Sequence, residues 1–271
     1  MDLPSFAIAP PAPALQHLVR NYWRIDARHL GSLARDDLMP IEGGSGWILV
    51  IDGQLDFATG SCSHGGVFDA STGTSNRLLG VDQADVIGIR FQPGAQARFS
   101  QLPATEYLNT HIPLAGAGVA TQAILKSLNI TNCWQDRVSL LDQWLLGLVQ
   151  APTERHTVLQ SVVNLILERS TPLPISTLCQ ASGWSERYLQ RHFSSEVGLS
   201  TQRLGKIARA NVALRAIKRG SHNRINLSHV AIDHGYFDHA HMTRDFRQLF
   251  GIAPSSLITP PTLSARPPEL S

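Results

Sequence analysis

The stretch Ala181-Ser182-Gly183-Trp184-Ser185-Glu186-Arg187-Tyr188-Leu189-Gln190-Arg191-His192-Phe193, closed by Gly198, returns in altered form further on. The second copy is Ile232-Asp233-His234-Gly235-Tyr236, then Met242, Arg244, Phe246 and Gly251. From Arg191 and Arg244 onward the spacing of arginine, phenylalanine and glycine is the same in both copies. A repeat that matches turn glycines, inward apolar positions and outward polar positions together is a stronger signal than a single motif. Each copy reads as a short helix, a glycine turn and a second helix.

In the first copy Pro174 precedes Ile175, Leu178 and Cys179, an apolar set at i, i+3 and i+4. Gly183 supplies the left-handed turn, and Ser185 is a suitable N-cap for the next helix. Leu189, Phe193 and Val197 then fall inward, and Arg187, Gln190, Arg191 and Ser194 share the opposite face. That face suits base reading, because arginine pairs with guanine O6 and N7 and glutamine with adenine N6 and N7 in the major groove. In the second copy Leu227, Val230 and Ala231 form the apolar set, Gly235 turns the chain and Asp238 caps. Met242, Phe246 and Phe250 fall inward, with Ala240, Thr243, Arg244 and Arg247 outward and His239 and His241 beside them. His239 reads as a polar DNA contact. The three histidines of this copy lack the i, i+4 spacing of a helical zinc pair, and no metal is expected.

Between the copies, Ser200 opens a helix that runs through Leu204, Ile207, Ala208 and Leu214 to Gly220. Its length of roughly 28 Å approaches one turn of duplex DNA, about 34 Å, so both second helices can enter successive major grooves. Lys206 and Arg209 on this helix are expected to meet phosphate. Charge agrees with this placement: residues 152–260 hold 13 Lys and Arg against 7 Asp and Glu, whereas residues 1–151 hold 9 against 13. The overall charge of +2 hides that asymmetry.

Toward the N-terminus the period changes. Trp134, Val138, Leu141, Leu145 and Leu148 form one apolar stripe, open to two uses: packing on the chain's own sheet, or a homodimer seam. Ala151-Pro152-Thr153 breaks that helix, and a further helix with Val158, Val162, Ile166 and Leu167 opens the C-terminal domain. Upstream, Leu18–Ile25 and Asp85–Phe91 read as strands, and Trp47–Ile51 with Leu55–Phe57 reads as a hairpin turning at Asp52-Gly53. Thr59–Gly66 and Ser71–Asn76 read as Gly/Ser-rich loop, and residues 1–15 as an irregular arm. Short strands between turn clusters imply an antiparallel barrel or sandwich over roughly 5–115. The fold class is thus α+β: a sensor-like domain at 1–115, a helical linker at 116–152, a DNA-binding domain at 153–260 and a tail at 261–271.

Met1-Asp2-Leu3-Pro4 has neither the basic region nor the apolar run of a signal peptide, and no run approaches the ~20 apolar residues of a membrane span. A cytoplasmic protein without membrane partners is expected. Cys62, Cys133 and Cys179 are far apart and read as buried reduced thiols.

At the two repeats the chain resembles the AraC/XylS family of bacterial transcription regulators. The carriers are Gly183–Phe193, Gly198-Leu199-Ser200, Gly235-Tyr236-Phe237-Asp238, Phe246, Phe250-Gly251 and Pro254, within about 155–260. The resemblance implies seven helices with two helix-turn-helix units joined by a long helix, double-stranded DNA and RNA polymerase as partners, and no cofactor. Leu257-Ile258 departs from the aromatic residue and arginine usual there, which puts a phosphate or capping role at that point in doubt. Residues Arg90-Phe91-Gln92-Pro93-Gly94-Ala95 resemble the cupin-type sensor regions of the same family. His17, His29, His64 and His111 stand singly, without the His-x-His pair of a cupin metal site. Arg90, Trp23 and Trp47 are the candidates to line an effector pocket. Three functional classes follow: an effector-responsive regulator, a regulator whose N-terminal domain only dimerises or contacts a protein, and an enzyme fused to the DNA-binding unit. The last would need a reactive cysteine, for which Cys62 and Cys133 lack clustered partners.

Overall fold

A computed structural model describes residues 5–28, 33–38, 43–57, 60–69, 77–100, 103–107, 112–169, 171–220 and 225–258. The loop read at Ser71–Asn76, the tail 261–271 and two of the single histidines, His29 and His111, lie outside the described residues. The fold is α+β as the sequence implies, with an antiparallel sheet followed by helices.

The sheet comprises β1 (Ser5–Ala9), β2 (Val19–Asp26), β3 (Leu33–Leu38), β4 (Gly46–Phe57), β5 (Gly60–Asp69) and β6 (Arg77–Phe91). Its order is β1-β2-β6-β4-β5, with β3 on the first half of β6. The long strand β6 is the spine, because it pairs with β2, β3 and β4 at different points along its length. Three local expectations change. Residues 5–9 are an edge strand on β2 rather than an irregular arm, with Phe6 opposite Ile25 and Ile8 opposite Trp23. Asp52-Gly53 is not a hairpin turn. Both halves of β4 pair with β6, Val50 with Val86 and Gln54 with Asp82, so the dipeptide is a bulge in one bent strand with Gly53 at φ +71°. The first Gly/Ser-rich stretch is strand β5 rather than a loop; Gly66 lets it lie flat under Leu114, where a Cβ would come within 2.7 Å of Leu114 Cδ1.

The sheet buries both faces. One face carries Trp23, Ile25, Ile48, Val50, Leu55, Phe57, Cys62 and Val86 in an interior of its own. The other carries Tyr22, Trp47, Leu49, Ile87, Ile89 and Phe91, and it is covered by α1 (Gln122–Ile130) and α2 (Trp134–Leu148). This decides the fate of the apolar stripe. Leu141 and Leu145 are fully buried against the sheet, and Trp134, Trp144 and Leu148 pack beside them, so the stripe is used within the chain and is not a dimer seam. Polar bonds fix the same contact: Arg137 of α2, 0 % exposed, donates both terminal nitrogens to Asp85 of β6 at 2.8 Å. Tyr22 Oη donates to Asp142 Oδ1 at 2.7 Å. A buried pair with this bidentate geometry satisfies both charges, which neither would survive alone.

The C-terminal helices are α3 (Glu154–Leu167), α4 (Ile175–Ser182), α5 (Glu186–Val197), α6 (Thr201–Gly220), α7 (Leu227–Asp233) and α8 (His239–Phe250). A 3-10 turn at Pro254–Leu257 takes the place of a seventh helix, and Leu257 and Ile258 pack partly buried on the core. One apolar cluster runs from Leu159, Val162 and Ile166 through Leu189, Phe193, Leu204 and Ile207 to Met242, Phe246 and Phe250. The long helix α6 lies between the two units and is buried on more than one side, with Leu204, Gly205, Ile207, Ala208, Arg209, Ala210, Ala213 and Ile217 inside. Among the described residues no helix is long and apolar enough to cross a membrane.

Candidate nucleic-acid interface

Both units are built by the local rules read from the sequence. Gly183 ends α4 at φ +70°, and Ser185 caps α5 by accepting the Tyr188 N–H at 3.4 Å. Gly235 turns the second unit at φ +74°, and Asp238 caps α8 by accepting the His241 N–H at 2.6 Å. Leu189, Phe193 and Val197 of α5 are buried, and so are Met242, Phe246, Leu249 and Phe250 of α8. That inward anchoring leaves Arg187, Gln190 and Arg191 exposed on α5, with Ser194 half-buried. On α8 it leaves Ala240, Arg244 and Arg247 exposed, with His239 and Thr243 half-buried and 3.5 Å apart.

The free side chains of α5 are already engaged with one another. Gln190 donates to Glu186 Oε1 at 2.8 Å, and Arg191 lies 5.7 Å over the Tyr188 ring and 3.2 Å from His192 Nε2. These exposed contacts are weak and exchange readily for base edges. Glu186 is a residue that the sequence reading passed over. It holds the amide of Gln190 in the unbound state, and the i, i+4 spacing of the two residues is the signal that would have found it.

On α6 the two expected phosphate ligands part company. Lys206 is half-exposed, with Nζ 3.8 Å from Asp245 Oδ1. Arg209 does not face DNA: it is 4 % exposed, its Nη2 donates to Asp245 Oδ2 at 2.7 Å and its Nη1 to the Gly235 carbonyl at 3.2 Å. Its guanidinium also lies 4.2 Å over the Tyr236 ring. Arg209 therefore bolts α6 to the turn and recognition helix of the second unit, and a cation so enclosed cannot reach a phosphate. Burial pushes the Tyr236 phenol up to about 12, and Asp245 adds to the rise. The exposed cations that remain on α6 are Arg215, Lys218 and Arg219.

The three candidate effector ligands are not brought together. Trp47 is 0 % exposed in an aromatic cluster with Phe91 at 5.0 Å, Trp144 at 5.5 Å and Phe68 at 5.9 Å. Trp23 belongs to the interior on the opposite face of the sheet, packed flat on Gly88. Arg90, 9 % exposed beside Gly46, lies two residues from Gly88 on the same face of the sheet as Trp23, so Trp47 alone is separated from the other two. Cys62 is buried and Cys179 half-buried, but Cys133 is exposed, contrary to expectation. Among the described residues no three His, Cys, Asp or Glu side chains come together as a metal site.

Two clefts lie at the seam between the two domains. The 3-10 turns Ala95–Arg98 and Ala104–Tyr107 of the N-terminal domain pack against α5. A cleft of ≈ 500 Å³ there is lined by Gln96, Ser100, Arg155, His156, His192 and Glu196, and a neighbouring cleft of ≈ 280 Å³ by His17, Arg98, His156 and Asn164 among others. Glu196 of α5 is the hub: its Oε1 accepts from Arg155 Nε at 2.8 Å, and His156 Nε2 stands 3.7 Å from its Oε2. Oε2 is buried without a hydrogen-bond partner. Burial holds His156 and His192 below the ordinary imidazole value; Arg155 lowers both further, and Glu196 opposes the shift. His156 also closes the capping box of α3, its Nδ1 accepting the Thr153 N–H at 3.3 Å.

Two capped, glycine-turned units on one central helix, each with an outward polar face, define a tandem helix-turn-helix DNA-binding domain. Residues 178–259 match the family described as "Helix-turn-helix domain", and residues 8–113 match a "Domain of unknown function (DUF6597)". The C-terminal domain is thus a helix-turn-helix domain of the AraC/XylS type, as found in DNA-binding transcription regulators. Among solved structures it is similar to ToxT from Vibrio cholerae, with 10 % identity over 94 % of this chain and 98 % of that one at a TM-score of 0.47. It is also similar to unsaturated fatty acid bound wild-type ToxT from Vibrio cholerae strain SCE256, with 10 % identity over 95 % and 97 % of the two chains at a TM-score of 0.46. Comparison with curated proteins finds no match.

Proposed function

We propose that the chain is a sequence-specific, effector-responsive transcription regulator in which the first helix-turn-helix unit carries most of the base discrimination. The observation that carries this reading is the exposed Arg187, Gln190 and Arg191 face of α5, rigidly mounted by Ser185 and a buried apolar side. Ser194 flanks that face. The second unit offers His239, Ala240, Thr243, Arg244 and Arg247, and Lys206 contributes a phosphate contact from α6. Double-stranded DNA is the partner and RNA polymerase the downstream one. The working division is a sensor at 1–115 with its packed helices at 116–152, and the DNA-binding domain at 153–260.

Effector response is supported by the seam. The same helix that would enter the groove meets the N-terminal domain along its C-terminal half, and the ≈ 500 Å³ cleft lies between them. A small molecule seated there bears on α5 directly. Homodimerisation, if it serves a two-site operator, has exposed apolar residues to use outside the buried α2 stripe, among them Phe6 and Ile8 on the edge strand β1, 63 % and 60 % exposed, and Ile130 at the end of α1.

Binding-site selection on randomised duplex DNA tests the reading. Enrichment of two short motifs about ten base pairs apart is expected, with affinity falling linearly in log salt. Failure to enrich any sequence would overturn it. Repeating the selected binding with candidate metabolites separates effector response from a purely structural N-terminal domain.

A further inference from the structure

The two units differ by one residue at the entrance to the recognition helix. In the first, Ser185 caps α5 and only Trp184 separates it from the turn glycine; in the second, Tyr236 and Phe237 both stand between Gly235 and the cap Asp238. The aromatic residue directly after each glycine packs on the core: Trp184 partly buried, Tyr236 3 % exposed. The additional residue, Phe237, is 85 % exposed and belongs to no part of that core. Its backbone is nonetheless fixed, with its N–H directed at His241 Nδ1 at 3.5 Å on the first turn of α8.

Recognition helices present their N-terminal residues to base edges, and Phe237 stands two residues before α8 begins, next to its cap Asp238. The next outward position on α8 is Ala240, also exposed, followed by the half-buried Thr243. The leading edge of the second unit therefore carries an aromatic ring and methyl groups beside Asp238 and His239, with Arg244 a turn behind. In the major groove the apolar group on a base edge is the thymine 5-methyl, and phenylalanine and alanine are side chains that meet it. We propose that Phe237, with Ala240, is a specificity-determining pair that reads thymine methyl groups in the half-site bound by the second unit. The inference rests on the DNA-binding reading above.

The test uses the full chain and its selected binding site, remade with single thymines replaced by deoxyuridine, which removes the methyl group and nothing else. At one or two thymines of the half-site whose preference Arg244→Ala relaxes, the replacement weakens binding by the unmodified protein about fourfold, the transfer value of one methyl-sized group. Phe237→Ala weakens binding to the thymine-containing site by a similar factor and is indifferent to deoxyuridine at that position, so the two changes are not additive. The deoxyuridine measurement needs no protein variant and stands even if Phe237→Ala folds poorly. Equal affinity of the unmodified protein for every deoxyuridine site in that half, or the same deoxyuridine penalty in Phe237→Ala, overturns the proposal while leaving DNA binding intact. Loss of transcription by Phe237→Ala with unchanged DNA affinity also overturns it, since the ring would then meet a protein. If no site is selected at all, the DNA-binding reading itself has failed.

Discussion

Replacing Arg209 by alanine separates a structural cation from a phosphate ligand. The guanidinium is 4 % exposed, bonded to Asp245 at 2.7 Å and to the Gly235 carbonyl at 3.2 Å, and stacked on Tyr236. Breaking a buried pair by removing one partner costs about 3–5 kcal/mol, because the other charge is left uncompensated. Asp245 would keep Lys206 at 3.8 Å and His241 at 3.9 Å, so the lower end, about 3 kcal/mol, is expected here. Amide exchange localises the loss: opening of α6, α7 and α8 by about 3 kcal/mol speeds exchange roughly a hundredfold, while α3 and α4 change little. Replacing both partners, Arg209→Met with Asp245→Leu, should restore most of the protection, since an apolar pair of similar volume is often neutral or better. The salt dependence of DNA binding should keep its slope in Arg209→Ala where the protein is folded. Unchanged exchange together with a slope reduced by about one counterion would put Arg209 on a phosphate and refute the argument.

Three further outcomes are expected. Leu141→Asp or Leu145→Asp should unfold the N-terminal domain, because both side chains are 0 % exposed against the sheet; a folded monomer obtained from a dimeric parent, seen by light scattering and circular dichroism, would restore the seam reading. Burial lowers His156 and His192, so the unfolded chain takes up protons first and the C-terminal domain loses stability as pH falls below about 6.5. Thermal melts over a pH series should therefore show a steeper acid decline than in the His156→Gln, His192→Gln variant; parallel curves would sink the idea. Arg191→Ala and Arg244→Ala should relax base preference about ten base pairs apart, each contact carrying about 1–3 kcal/mol of discrimination, and relaxation at the same positions would mean one reading helix rather than two.

The C-terminal domain was legible because its signals are local. The turn glycines, the caps Ser185 and Asp238 and the inward spacing of Phe193 and Phe246 act within one or two helical turns, and each appears where its residue type requires. The sheet was less legible because strand identity depends on partners far along the chain. Asp52-Gly53 has turn chemistry, yet pairing on both sides with β6 holds it as a bulge, and residues 5–9 become a strand only because β2 offers an edge. Arg209 was misread for a related reason. A helix between two units is buried on two sides, so its cations cannot be sorted by a single polar face. The signal was on the other helix: Asp245 stands beside Phe246 on the inward side of α8, and an inward carboxylate calls for a buried cation.

These contacts also set which parts move together. Arg209, Asp245 and Tyr236 join α6 to the second unit, so the central helix and α8 form one rigid piece. The N-terminal domain meets that assembly at the other end: its 3-10 turns pack on α5, Gly94 faces Val197 and Leu159, and Gly43 fits beneath Leu204 at the start of α6. A displacement at this seam acts first on α5 through Glu196 and its neighbours, and reaches α8 through the first half of α6, where Lys206 and Arg209 meet Asp245. Regulation by the N-terminal domain would then appear as a change in affinity for the half-site read by α5, with the preference of the second half-site unchanged. That asymmetry follows from a polar cleft on α5 and a buried arginine pair midway along α6 that ties it to α8.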